Sequence, residues 1–501
     1  MTDRSGVLLT KIIATLGPAS SDAATIRRLI EEGARVFRIN FSHGSFGQFG
    51  ALLQHLRAAA DETGVPVAAL GDLSGPKLRL ASVGGGGFEL PTGATVALQA
   101  EPVVAEPAQG GDPFVLSTTA PHVLKDVEAG QRVLIDDGAV RMLVIEIAGG
   151  ADDRRVICQV TVGGAIISAK GINLPDSDLS VPSITEHDWR CVDWAVQNEL
   201  DMLALSFVRR AADVAQLKEA LRQRADPGRT PIPVIAKLEK PQAIDELAPI
   251  MHQADAVMVA RGDLGVEMDL AIVPVLQKRI IAMAHDYGKP VIVATQMLQS
   301  MIHNAAPTRA EVSDVANAIY DGADAVMLSG ETAIGQYPVQ TVATMARIAT
   351  VTLDQMIADH TIVARRPKKQ LDEGRYRTAA IAHGVAAVVE DLDAKLVATW
   401  SQRGGGARYL SKNRLPVPIL AASDDPVALR RMSVLFGVVP VHLALPEDRE
   451  AFGRRIDQVV QERRLAEAGD PIVLVAGEPL GVPGVTNCLW VRYVGDVCTL
   501  S

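Results

Sequence analysis

The chain has 501 residues, a formal net charge of -10, 48% hydrophobic residues and only 4% aromatic ones. One hydrophobic core does not organise a chain of that length, so roughly two to four domains are expected. The acidic balance, with no long Lys/Arg run, excludes bulk attraction to nucleic acid, and no apolar run reaches membrane-spanning length.

Met1 to Thr10 lacks a basic stretch followed by an apolar core and a small-residue cleavage site, so a cytoplasmic protein is expected. From Lys11 onward one unit recurs about eight times: a short β-branched run ending in polar residues, then a helix-like stretch rich in Ala, Leu and charge. The runs are Lys11 to Thr15, Arg35 to Ile39, Pro66 to Leu70, Met202 to Leu205, Val234 to Lys237, Ala256 to Ala260, Val291 to Ala294 and Ala325 to Leu328. Continuous apolar runs suit parallel strands buried on both faces, with right-handed helical crossovers between them. An open doubly wound sheet would give the same repeat. Polar residues follow nearly every run, however, including Asn40 to His43, Asp72, Ser206, Glu239, Arg261 with Asp263, Thr295 with Gln296, and Ser329 with Glu331. Convergence at strand ends favours a (β/α)8 TIM barrel.

Between Pro76 and Pro182 the repeat gives way to short alternating segments such as Thr95 to Leu98, punctuated by Gly and Pro. This predicts an inserted β-barrel lid domain over 76–182, with Asp136-Asp137-Gly138 as a tight hairpin turn. The barrel then comprises 1–75 and 183–355. A C-terminal α/β domain over 356–501 follows the basic stretch Arg365 to Lys369, with strands expected at Lys395 to Thr399, Pro418 to Ala422 and Pro471 to Ala476. Cys158, Cys191, Cys488 and Cys498 form no CxxC pair, so inert thiols are expected rather than zinc ligands or disulfides.

Within Pro233 to Ile244, Lys237 and Glu239 stand two residues apart and so share one side of an extended strand end. Taken alone, that pair is better read as a solvated ion pair. The next strand, however, ends in Arg261-Gly262-Asp263-Leu264-Gly265, which adds a second carboxylate, an arginine and glycines that let backbone amides approach an anion. Two carboxylates beside an ammonium suit Mg²⁺ and a phosphoryl group that gathers charge in its transition state.

Six segments, in order, resemble the pyruvate kinase family. They are Lys11 to Ser20 (KIIATLGPAS), Arg38 to Gly44 (RINFSHG), the Lys237 segment, Val257 to Gly265 (VMVARGDLG), Ala294 to Leu298 (ATQML) and Met327 to Thr332 (MLSGET). The resemblance implies an enzyme that passes the phosphoryl group of phosphoenolpyruvate to ADP, giving pyruvate and ATP. It implies that Arg38 contacts the substrate phosphate, Lys237 stabilises the transition state, and Glu239 and Asp263 hold Mg²⁺, with Mn²⁺ able to replace it. Gly262, Asp263 and Thr295 would receive the substrate carboxylate. Pro18, His43, Arg79 and Lys170 would line the nucleotide side, and Thr295 or Ser329 would belong to a proton relay. A homotetramer is also implied.

Two departures stand out. The family's monovalent-cation pocket corresponds to Asn40, Ser42, Asp72 and Leu73, and its K⁺-dependent form resembles Asp-Thr-Lys-Gly-Pro-Glu. Here the stretch is Asp72-Leu73-Ser74-Gly75-Pro76-Lys77, so an internal ammonium at Lys77 is expected to make K⁺ unnecessary. The family's sugar-phosphate loop resembles Thr-Glu-Ser-Gly-Arg-Thr, whereas Ser401 to Gly406 here reads SQRGGG, either a phosphate-binding nest or a plain surface loop. Weak or absent activation by fructose 1,6-bisphosphate is expected. The rival readings are a barrel enzyme that handles phosphoenolpyruvate or pyruvate with Mg²⁺ but without a nucleotide, and a non-catalytic sensor relative.

Overall fold

Apolar runs with no face left for water pair in parallel under a cover of helices. In the computed structural model, which describes residues 7–108, 112–150, 153–362, 373–482 and 484–496, eight such runs close a barrel. They are β1 (Lys11–Thr15), β2 (Ala34–Asn40), β3 (Ala68–Asp72), β4 (Met202–Leu205), β5 (Val234–Leu238), β6 (Ala256–Ala260), β7 (Val291–Ala294) and β8 (Ala325–Leu328). Each strand lies parallel to the next, and β8 returns to β1 with Lys11 beside Ala325. The predicted runs are these strands. The third shifts furthest, from Pro66 to Leu70 onto Ala68–Asp72, because Asp72 pairs with Asn40 on one side and Ala204 on the other.

Side chains alternate across each strand. Val36, Leu70, Ile235, Met258, Ile292 and Met327 belong to one buried cluster, whereas their neighbours Phe37, Ala69, Ala236 and Val257 belong to the cluster that packs on the helices. In step with Ile235 are Lys237 on β5 and Glu239 just past its end. The same face that is apolar low in the barrel therefore turns charged at its carboxyl end.

Between β3 and β4 the chain forms a curled six-stranded sheet, in the order Ile172–Asn173, Arg132–Ile135, Val140–Ala148, Arg155–Val162, Thr95–Gln99 and Phe114–Ser117. Bridges from Arg79 to Gly171 and from Leu80 to Thr118 join its two edges, which closes the curl. Asp137 and Gly138 both have positive φ, and Ala139 N donates to Asp136 O at 3.0 Å, the primed turn expected of Asp-Gly. Cys158 and Cys191 are buried, and burial pushes each thiol up to about 12; Cys498 lies outside the described residues.

The C-terminal α/β unit has a sheet in the order Val438–His442, Ile419–Ser423, Leu396–Trp400, Pro471–Ala476 and Cys488–Tyr493. Its first and last strands were not anticipated. Pro440 disguises the first, and the second is an antiparallel edge strand whose partial exposure breaks the apolar pattern. The stretch Arg365 to Lys369 lies outside the described residues. Among the described residues no helix is long and apolar enough to cross a membrane.

The C-terminal unit is tied to the barrel floor by a wholly buried ion pair. Lys412, at the end of the Gly405–Lys412 helix, reaches Asp324 Oδ2 at 2.5 Å, and both side chains are 0% exposed. Asp324 Oδ2 also accepts from Val291 N at 2.7 Å, so one carboxylate fixes the starts of β7 and β8 and the docked helix together. Removing one partner strands the other charge out of water. We expect Asp324→Ala to cost about 3–5 kcal/mol in urea unfolding followed by tryptophan fluorescence; a loss below about 1 kcal/mol would contradict this role for the pair.

Candidate active site

The charged layer at the barrel mouth is a continuous chain of contacts. Arg38 Nε meets Asp72 Oδ2 at 2.6 Å, Lys237 Nζ lies 3.3 Å from Asp72 Oδ1, and the same ammonium reaches Glu239 Oε1 at 2.8 Å. Lys237 also donates to Ser206 Oγ at 2.7 Å. Burial alone would lower the Lys237 pKa, but Asp72 and Glu239, with Asp263 beyond, outweigh it and hold the ammonium above the ordinary lysine range. Burial likewise favours a neutral Asp72, yet Lys237 and Arg38 keep it ionised, below the ordinary carboxylate range.

Asp263 begins the Arg261–Glu267 helix and opens onto a cleft of about 360 Å³, whose walls include Lys77, Arg79, Lys170 and Lys240. Although its side chain faces the cleft, protein encloses it on the other sides. Burial and then the Glu239 carboxylate push its pKa up to about 6, against the pull of Lys237 and Lys77. A carboxylate raised by a second one beside it forms, with that neighbour, a donor set that a hard divalent cation relieves. Among the described residues no group of three or more His, Cys, Asp or Glu side chains forms a complete cage. An ion held by these two carboxylates alone would complete its shell with water or substrate oxygens.

The next loop is bonded internally. The Gly262 amide is not free for an anion, because it donates to Thr295 Oγ1 at 2.7 Å. Arg261 does not face the cleft either. It is buried, pairs with Asp314 at 2.7 Å, and donates to the carbonyls of Thr295 and Gln296 at 2.8 and 3.2 Å. Thr295 and Gln296 both have positive φ, 69° and 55°, a conformation that side chains resist. Arg261 therefore holds Thr295 in place from behind. Ser329 lies at the end of β8 with its amide bound to Glu331 Oε2 at 2.7 Å, while its buried hydroxyl has no partner among the described residues.

Of the residues expected on the nucleotide side, Arg79 and Lys170 line the cleft; Arg79 donates to Ala169 O at 2.7 Å and Lys170 pairs with Asp136 at 2.8 Å. His43 is outside the cleft wall but close enough that, after burial, the charges of Lys77, Arg79 and Arg38 lower its pKa. Pro18 is exposed on the Pro18–Ser20 turn and does not line this cleft. In the expected monovalent-cation pocket, Asn40 Oδ1 accepts from Ser42 N at 3.1 Å, Leu73 N donates to Ala204 O at 3.0 Å, and Asp72 is already occupied by two cations. Lys77 is placed to act on this cluster. Burial and the Lys237 charge lower its pKa, while Asp263 and Asp72 oppose them.

Sequence reasoning missed the hinge. Asp188 is fully buried near the start of the Glu186–Gln197 helix, where its Oδ2 accepts from Thr185 N and Oγ1 at 2.9 and 2.6 Å. Its Oδ1 accepts from Ser74 N at 2.9 Å and Gly75 N at 3.3 Å. One carboxylate thus clasps both strands of chain that connect the inserted sheet. Gly75 has φ +65°, and a Cβ there would meet the Phe207 ring at 2.5 Å. Phe207 in turn donates its backbone N–H to Glu239 Oε2 at 2.8 Å, so the hinge touches the residue that holds the Glu239 carboxylate. The Thr185-x-x-Asp188 spacing is a capping box and signals half of this arrangement.

Comparison with known proteins gives a consistent result. The family described as "Pyruvate kinase, barrel domain" matches residues 8–342, and "Pyruvate kinase, alpha/beta domain" matches residues 379–492. A pyruvate kinase of Mycobacterium tuberculosis is 41% identical over 486 residues, covering 97% of this chain and 98% of its own length. Those of Corynebacterium efficiens and Methylorubrum extorquens are 40% and 39% identical, again over 97% of this chain and 98% and 97% of their own.

The carboxylate pair can be tested without any assay of turnover. Asp263→Asn is expected to weaken Mn²⁺ binding, followed by calorimetry, by at least the ~10–100-fold that loss of an outer-shell partner causes. Unchanged affinity would remove Asp263 from the metal site.

Proposed function

The chain belongs to the pyruvate kinase family, metal-dependent phosphotransferases that pass the phosphoryl group of phosphoenolpyruvate to ADP, giving pyruvate and ATP in the last step of glycolysis, and on that premise we propose how its residues divide the work. Arg38 and Lys237 bind the phosphoryl group, and Lys237 stabilises the charge that spreads over its oxygens and the developing enolate. The observation that carries this reading is the Arg38, Asp72, Lys237, Glu239 chain of contacts, which fixes two cations at one point of the barrel mouth.

Glu239 and Asp263 hold Mg²⁺, with Mn²⁺ able to replace it; when bound, the ion supplies positive charge to the phosphoryl and enolate oxygens. The Asp263 amide and the Thr295 hydroxyl receive the substrate carboxylate, the hydroxyl by turning away from the Ala294 carbonyl to which it donates at 2.6 Å. Gly262 joins them only if the substrate displaces its bond to Thr295. Protonation of the enolate runs through water held by Thr295 or Ser329, since neither hydroxyl is acidic enough to serve unaided. The free hydroxyl of Ser329 supports its share.

ADP enters on the side of the inserted domain, residues 76–182, where Arg79 and Lys170 meet its phosphates, with His43 and Pro18 at the border. Lys77 stands in for the monovalent cation beside Asp72. The active form is a cytoplasmic homotetramer.

Two experiments test this reading. The protein, mixed with phosphoenolpyruvate, ADP and Mg²⁺, is expected to form ATP, and Lys237→Ala to lose all but a trace of that activity; equal rates would end the assignment. Replacing K⁺ with a bulky organic cation is expected to leave the rate within about twofold, because the positive charge is internal. A many-fold loss would show that Lys77 does not replace the ion.

A further inference from the structure

One buried charge has no part in the chemistry above. Glu267, at the end of the Arg261–Glu267 helix, is 1% exposed. A carboxylate out of water must be paired. Its Oε1 accepts from Lys240 Nζ at 2.6 Å and from Asn173 Nδ2 at 2.7 Å, while Oε2 is buried with no partner among the described residues. The two donors come from different parts of the fold. Lys240 follows Glu239 directly in the barrel, and Asn173 ends the last strand of the inserted sheet.

The surroundings give this bond a consequence. Lys240 lies 5.3 Å from the centre of the Phe207 ring, and the Phe207 amide holds Glu239. Asn173 and Lys240 line the same cleft as Arg79, Lys170 and Asp263. The two bonds also differ in kind. The ion pair with Lys240 stays within the barrel and keeps Glu267 neutralised whether or not the inserted sheet is near. The amide bond from Asn173 crosses between the two parts and can break without leaving an unpaired charge. A reversible contact is what a closing lid needs.

We propose that Glu267 is a positioning residue that latches the inserted domain shut over the cleft, taking the Asn173 amide as its catch and Lys240 as its fixed anchor. The proposal rests on reading Arg79 and Lys170 as the nucleotide side. Closing the latch brings those two residues over ADP and leaves the phosphoenolpyruvate contacts, which belong to the barrel, unaltered.

Asn173→Ala removes the catch without disturbing the buried ion pair. It is expected to raise KM for ADP roughly tenfold, the size of one lost hydrogen bond to a charged group, with KM for phosphoenolpyruvate unchanged. Asn173→Asp sets carboxylate against carboxylate and is expected to raise it further. Amide hydrogen exchange across 76–182 should quicken in both variants. An unaltered KM for ADP in Asn173→Ala, or an equal rise in both KM values, overturns the latch. If the wild type forms no ATP, the functional reading fails by itself, and hydrogen exchange still decides whether the Asn173 bond holds the domain closed.

Discussion

A buried ammonium survives only beside carboxylates, and at this barrel mouth Lys237 has two, Asp72 and Glu239. Each of those carboxylates is shared. Asp72 also holds Arg38, and Glu239 also accepts the Phe207 amide. Three strands are thereby fixed relative to one another by charge, at the height where the apolar layers of the barrel end. Cations held in place in this way suit phosphoryl transfer, in which the protein has little covalent chemistry to perform.

The same economy of contacts governs the inserted sheet. Asp188 clasps both connecting segments with its two oxygens, and the Phe207 ring packs where Gly75 lacks a side chain. The Phe207 ring thus packs against the first connection while its backbone amide holds Glu239. One aromatic residue therefore lies between the connection to the inserted sheet and the Glu239 carboxylate.

What the sequence revealed divides along physical lines. Period and spacing are local, so the eight barrel strands and the shared face of Lys237 and Glu239 could be read directly. Contacts between distant segments could not. Asp72 was assigned only to a cation pocket, yet it joins Arg38 to Lys237, because pairing across strands depends on barrel closure. The role of Arg261 was hidden for the same reason. Beside Gly262 and Asp263 it resembles an anion ligand, but the helix turns it toward Asp314 and the strained Thr295 backbone. Val438–His442 escaped notice because Pro440 masks a strand that lies at the edge of its sheet, where proline is tolerated.

Charge arithmetic underlies the role proposed for the Lys77 loop. The K⁺-dependent pattern, Asp-Thr-Lys-Gly-Pro-Glu, carries two acids and one base, whereas Asp72 to Lys77 here carries one of each. The loop is therefore more positive by a single unit, the charge of one monovalent cation. Its placement matters as much as its size. Serine at position 74 takes the lysine of the pattern out of the hinge, where the Ser74 amide is held by Asp188. The ammonium reappears at Lys77, within the field of Asp72 and Asp263. Partial burial lowers the pKa of Lys77, as expected for an ammonium crowded by Lys237 and Arg79, yet both carboxylates act to retain its proton. A tethered charge in that position has no binding equilibrium to satisfy, so its occupancy does not depend on salt composition, unlike that of an ion drawn from solution.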